Sequence, residues 1–488
     1  MTTANAWMPT VLRLAFVGGV LGAASTASAA IAGDPPVIDW LGGDGDFIDP
    51  AQWAGGIGPG PEDIARFATR GTTSVQFLGL PEPAVVRGIW LERGRTELRG
   101  DPFTDLDIQA ISPSSFNPSV LIAGPDGPES ITSLFGFALE ATSMTIGQGG
   151  IGPGGHGEGG ITDFTISGRL AIGDGAPGYF RSRGTLSAGF AEFGRGAYGE
   201  IDFQGGGNLF IDGPLQIGSS GLAIVVNADE TTADQLNLGG TPMGNGSLTT
   251  DTLDVTSGVD VGVLGEGEVI LSEPSTVGGS VVLGASVDLE SMAIRGEGRL
   301  RTGSLNIGED LIIGLLGVGH LEVRPGATVD VAGEIRTFFA DPNDTSSVTI
   351  ELGAGNGPPA LRAGGQIILP GITVIGGAAG SFAPGDAWTL ADAGTSLQYG
   401  SLSLPALPGD LQWTVNDASN DLTITVIDAG APGPGDANGD GTVDFGDILA
   451  VIEAFGPCPA GVPCPADFNG DGMVTTFDLL TVLANWAG

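Results

Sequence analysis

The segment DANGDGTVDFGD, beginning at Asp436, returns 31 residues later as DFNGDGMVTTFD, beginning at Asp467. Asp436, Asn438, Asp440, Gly441, Val443 and Asp447 map onto Asp467, Asn469, Asp471, Gly472, Val474 and Asp478. Each copy places oxygen-bearing side chains at loop positions 1, 3, 5, 9 and 12, with glycine at position 6. A calcium ion takes about six to eight hard oxygen ligands from such a loop, and glycine permits its tight turn. The candidate ligands at positions 1, 3, 5 and 12 are therefore Asp436, Asn438, Asp440 and Asp447, and Asp467, Asn469, Asp471 and Asp478. Thr442 and Met473 stand at position 7, where the backbone carbonyl would serve. Asp444 and Thr475 stand at position 9, acting directly or through water. Two calcium ions are expected. A solvated acidic turn without metal is the alternative, and two copies in register argue against it. Loop one offers four carboxylates and loop two three, so loop one is expected to bind more tightly.

Each loop runs into an apolar segment, ILAVIEAF after Asp447 and LLTVLANW after Asp478. Ile448, Leu449, Ile452 and Phe455 match Leu479, Leu480, Leu483 and Trp486. Their spacing predicts two short helices with facing apolar stripes. Each closing aspartate would sit at a helix N-terminus, where a carboxylate is favoured. Residues 436–488 carry eight acidic residues and no basic one. So small a module buries little core, so bound metal is expected to supply much of its folding energy.

This duplicated loop-helix segment resembles the dockerin domain, in which each calcium loop leads into a helix and the module docks onto a cohesin. An ordinary EF-hand has a helix before each loop and glutamate at position 12. Here a Gly/Pro linker precedes loop one, and position 12 is aspartate. The resemblance assigns partner recognition to loop positions 10 and 11, which are Phe445-Gly446 and Thr476-Phe477. These differ from the Ser-Thr pair of the best-known members, which points away from an ordinary cellulosomal cohesin. The segment CPAGVPCPADFNGDG is similar to a dockerin variant common in secreted planctomycete proteins.

The chain opens with Arg13, an apolar run from Leu14 to about Ala24, and Ala27-Ser28-Ala29. That order reads as a signal peptide over 1–29. The run is too short and glycine-rich to serve as a membrane span, so an extracellular or cell-surface location is expected. The only two cysteines, Cys458 and Cys464, lie between the loops. In an exported protein they are expected to form a disulfide. Zinc is the alternative, but two thiols without a nearby histidine make a poor site. The formal charge is −40, and every basic residue is an arginine. Such a chain should repel nucleic acid and anionic lipid.

The body holds most of the 87 glycines as punctuation between short apolar runs: MTIGQG, LAIGDG, LQIGSS, LNLGGT, VVLGAS and LIIGLL. The runs are marked by Ile146, Ile172, Ile217, Leu238, Leu283 and Ile312. Several steps fall near 20 to 26 residues or about twice that, the mark of a stacked coil. The alternation in LEV and TVDV sends one side chain inward and the next outward. We therefore expect a mainly β protein: a right-handed parallel β-solenoid followed by a small α-helical module. The rival, a β-sandwich array, would need antiparallel hairpins and more than 6% aromatic residues. Expected boundaries are an opening cap over 30–84, coils over 85–375, closing strands over 376–427 and a linker over 428–435. Trp40, Phe47, Trp53, Ala65 and Phe67 are the apolar positions of an opening cap similar to that of secreted proteins with autotransporter-like β-helical repeats. The closing strands resemble the same kind. Trp40, Trp53, Trp388 and Trp413 are read as packing residues rather than a carbohydrate platform. The stretch 147–161, GQGGIGPGGHGEGGI, reads as a loop containing His156, and His320 reads as a strand residue; neither has a ligand partner at metal spacing.

No catalytic motif is present, and no catalytic residue is assigned. The densest charged group, Arg295, Glu297, Arg299 and Arg301, reads as a solvated coil face. Two functions follow. One is a non-catalytic structural, adhesive or display solenoid, attached through the calcium module to a cohesin-like protein or another cell-envelope component. The other is a dockerin-borne polysaccharide lyase, hydrolase or glycan-binding protein acting in polysaccharide catabolism.

Overall fold

The protein's structure, a computed structural model, describes residues 36–69, 71–77, 84–92, 94–100, 105–108, 120–122, 130–135, 138–148, 155–159, 163–285, 296–338, 345–353, 355, 357–369, 371–376, 382–408, 411–417, 420–428, 433–439, 442–459 and 464–486. The leader expected over 1–29 lies outside them, as do Arg295, Asp440 and Gly441.

The chain winds into a β-solenoid, and each turn passes through three strands. One turn shows the unit: Glu266–Leu271, Ser275–Val277 and Val281–Ala285. Each of these pairs in parallel with the same strand of the next turn: Glu297–Thr302, Leu305–Ile307 and Leu311–Leu315. The successive turns therefore form three parallel faces. Parallel pairing begins at Val37–Asp39 on Ile64–Phe67 and continues to Leu402–Ser403 on Ile372–Gly376. An antiparallel pair, Leu411–Asn416 with Asp421–Asp428, then lies against Ala387–Ala393 and closes that end.

The apolar runs marked in the sequence stack as one column. Ile146 pairs with Ile172, then Phe193, Ile217, Leu238, Val261, Leu283 and Ile313. Every member is buried. Phe193 and Val261 escaped the sequence pattern because they break the Ile/Leu spelling. The column also corrects one residue: Ile313, not Ile312, continues the stack, while Ile312 faces outward yet is buried. The shared signal is an apolar residue immediately before a glycine. Replacing Leu283 by alanine should cost about 2–5 kcal/mol in equilibrium denaturation. A loss below about 1 kcal/mol would contradict the stacking described here.

The glycine after each column member makes the corner. Gly262 and Gly284 have φ of +67° and +65°, which L side chains rarely adopt. A Cβ on Gly262 would stand 2.0 Å from the Glu297 carbonyl oxygen of the next turn. Turns stack at the spacing of paired strands, about 4.8 Å, so a corner that bends over its neighbour has no room for a side chain. A second glycine column opens the following strand: Gly155, Gly178 and Gly199 pair in succession. Hence Gly155–Gly159 is a strand, paired with Ser130–Phe135 and Gly178–Ser182, where the sequence suggested only a loop. His156 lies on that strand. Backbone ladders need no side chains, so a glycine-rich segment joined to neighbours on both sides pairs as well as any other.

Aromatic residues plug the two ends. Trp40, Phe47, Trp53, Phe67 and Phe77 are buried together, with Trp40 and Trp53 edge-to-face at 4.9 Å. The Trp53 indole donates to the Phe47 carbonyl at 2.8 Å. At the other end Trp388, Trp413 and Phe382 pack edge-to-face. The tryptophans singled out in the sequence are packing residues, half-buried or fully buried.

Candidate metal centre

The C-terminal module has two helices, α1 (Phe445–Glu453) and α2 (Thr476–Ala484), each entered from one copy of the repeated loop. The N-caps are Asp444 and Thr475, position 9 of each loop. Asp447 and Asp478, position 12, return a hydrogen bond to the cap backbone, completing a capping box in both helices.

Those two aspartates are the centre of each loop. Both are fully buried. Asp447 accepts the N–H groups of Ala437 at 2.8 Å, Asn438 at 3.1 Å and Asp444 at 2.8 Å. Asp478 repeats this with Phe468 at 2.9 Å, Asn469 at 3.3 Å and Thr475 at 2.8 Å, and also accepts the Thr475 hydroxyl at 3.2 Å. Burial alone would push the Asp478 carboxyl up. The amides and the hydroxyl outweigh it and hold the group below the usual carboxylate range.

The remaining candidate ligands curl their own loops. Asp436 is buried and accepts the Gly439 N–H at 2.8 Å. Asp467 accepts Gly470 at 2.9 Å through one oxygen and Gly472 at 2.8 Å through the other. Asp471 accepts the Met473 N–H at 2.8 Å and the Asn469 side-chain amide at 2.9 Å. The Asp444 carboxylate is turned to its own helix, accepting Gly446 N–H at 2.7 Å. Asn438 and Thr442 lie on the exposed side of loop one, while Asp440 falls outside the described residues. Among the described residues no three carboxylate, imidazole or thiol groups converge tightly enough to hold a metal. The donor chemistry nevertheless fits calcium: every side-chain donor is a hard oxygen, and Gly472 at position 6 has φ +84°. An ion there would supply charge neutralisation and loop closure, not reaction chemistry.

The helices pack differently from the sequence reading. Val451 and Val482 are fully buried, with Ile448 and Leu479 partly buried beside them. Leu449 and Ile452 are 51% and 53% exposed, and Leu480 and Leu483 are 57% and 51% exposed. Phe455 and Trp486 are exposed as well. Each helix is apolar on two sides, and periodicity alone did not say which side meets the core. The residues at loop positions 10 and 11 head the outer stripes: Phe445 and Phe477 are strongly exposed, with Gly446 and Thr476 beside them.

Between the loops Cys458 and Cys464 form a disulfide, with Cα atoms 5.9 Å apart. Gly456–Pro457 pairs antiparallel with Met473–Val474 of loop two.

On the solenoid, one groove of about 380 Å³ is lined by Asn245, Ser247, Glu266, Glu268, Glu297 and Arg299. These residues lie far apart in sequence, and only the register Asn245–Glu266–Glu297 and Ser247–Glu268–Arg299 gathers them. Glu266 accepts from Asn245 at 2.8 Å, and Glu297 accepts from Arg299 at 2.9 Å. Arg301 of the same charged stretch instead pairs with Glu322 at 2.7 Å. His320 lies on the same face, with Nδ1 2.8 Å from Ser347 Oγ and Nε2 3.7 Å from Glu297.

Among the described residues no helix is long and apolar enough to cross a membrane. Residues 434–485 match the family model described as the dockerin type I domain. Comparison with curated proteins and with solved structures finds no match to the chain. Dockerin domains bind calcium. The twofold loop-helix repeat, the capped position-12 aspartates and the family match agree: the chain is a β-solenoid with a C-terminal dockerin type I domain.

Proposed function

We propose that this protein is an exported, non-catalytic solenoid that attaches to a cohesin-like partner through calcium-dependent docking of its C-terminal domain. The proposed leader spans 1–29, the linker 428–435 and the docking module 436–488, while parallel coil pairing reaches beyond the 85–375 read from the sequence, from Val37 to Ser403. Two calcium ions, one per loop, complete the proposal. They would neutralise the crowded carboxylates and set the direction in which α1 and α2 leave the loops.

The carrying observation is the pair of outward stripes, Phe445-Leu449-Ile452 on α1 and Phe477-Leu480-Leu483 on α2, each roughly half exposed or more. Contiguous exposed apolar surface of this kind marks an interaction site. The acidic character of the module favours a partner whose contact surface is apolar with a neutral or basic rim.

The test uses the full chain and a cohesin domain from the producing organism. Glutamate at Leu449, Ile452, Leu480 and Leu483 together should weaken capture 100-fold or more, about 2.7 kcal/mol. Calcium binding should persist, because these side chains do not enter the loops. Capture that survives these changes, or survives a chelator, would sink the proposal.

A further inference from the structure

Loop two is enclosed by a circuit of three hydrogen bonds closed by a disulfide, which loop one lacks among the described residues. The Cys458 N–H donates to the Gly472 carbonyl at 2.9 Å, at position 6 of the loop. The Gly472 N–H donates to Asp467 Oδ2 at 2.8 Å, at position 1. The Asp467 N–H donates to the Cys464 carbonyl at 3.1 Å. The disulfide joins Cys464 back to Cys458, and Cys458 Sγ lies 3.6 Å from Asp467 Oδ2. The circuit thus fixes the first ligand, the turn glycine and the incoming strand against one another.

The equivalent of Cys464 in loop one is Gly433. There the same turn forms, with the Asp436 N–H donating to the Gly433 carbonyl at 2.8 Å. Its lead-in is Gly433-Pro434-Gly435, whereas loop two has Cys464-Pro465-Ala466. One lead-in is tied to Cys458 by the disulfide, while Gly433-Pro434-Gly435 carries no covalent cross-link, so ordering Asp436 on metal binding costs entropy that Asp467 has already lost.

We propose that the Cys458–Cys464 disulfide is a positioning element for the loop-two calcium site, raising its affinity selectively. This rests on the calcium reading above. It offsets the smaller carboxylate count of loop two and makes that site sensitive to thiol reductants while loop one is not.

Hydrogen–deuterium exchange of the full chain across a calcium titration reads the loops separately, through peptides covering 433–447 and 464–478. In Cys458→Ser/Cys464→Ser the loop-two midpoint should rise about tenfold, equivalent to about 1.4 kcal/mol. The loop-one midpoint should stay within about twofold. If the double variant shows no protection in either loop, the native chain is titrated after dithiothreitol treatment. The reagent passes two electrons and two protons to the disulfide, giving two thiols and its own cyclic disulfide. Unchanged midpoints, or equal losses in both loops, overturn the selective role. Absence of calcium-dependent protection in the untreated native chain overturns the calcium reading instead.

Discussion

Replacing Asp447 by alanine should unfold the first loop-helix unit, at a cost of about 4 kcal/mol or more. The carboxylate is fully buried and accepts three backbone N–H groups, from Ala437, Asn438 and Asp444. Alanine leaves all three donors without an acceptor and removes the capping box of α1 at the same time. Each stranded donor costs about 1–3 kcal/mol, and this module has only a small core to absorb the loss. Amide exchange at residues 437, 438 and 444 should accelerate to the rate of an open chain, while amides in the Leu283 turn keep their protection. Calcium withdrawal acts in the same direction. At free calcium 100 times the Kd, each occupied site contributes about 2.7 kcal/mol, which a chelator removes. Retained protection at residue 444 in the alanine variant would show that the cap is dispensable.

The second large effect lies in the solenoid. Gly262→Ala should cost about 3 kcal/mol or more, against less than about 0.5 kcal/mol for Gly240→Ala. At Gly262 φ is +67°, and a Cβ would meet Glu297 O at 2.0 Å, Glu297 C at 2.2 Å and Gly298 N at 2.6 Å. All three are backbone atoms, so relief requires moving the next turn, and stacked turns share their ladders. At Gly240 a Cβ meets nothing within 4 Å. Denaturant midpoints of the two variants measure the difference directly. Equal midpoints would mean that the corner can open without disturbing the stack.

How much of this was legible beforehand depended on whether a feature is local. The duplicated loop-helix module was, because every candidate ligand of a loop lies within twelve consecutive positions, and the dockerin match covers both copies. The β-solenoid was legible as well, because a repeating apolar-glycine step states both the strand and its corner. Its register was legible only in part: Ile313 rather than Ile312 continues the column, since the glycine and not the apolar run sets the phase. The strand at Gly155–Gly159 was missed because pairing there depends on neighbours about two dozen residues away on either side.

Two features belonged to the tertiary structure alone. Val451 and Val482 are buried while Leu449, Ile452, Leu480 and Leu483 face solvent. A helix that is apolar on two sides obeys its period either way, and only the packing of α1 and α2 decides which stripe is left exposed. Likewise, Asn245, Glu266 and Glu297 share a groove, and Cys458 meets Gly472, because separate turns and loops come together. The sequence by itself determined what each short segment becomes: loop, corner, strand or helix. Which faces those segments turn to each other is a property of contacts between distant residues, and that is where the exposed apolar stripes and the disulfide circuit arise.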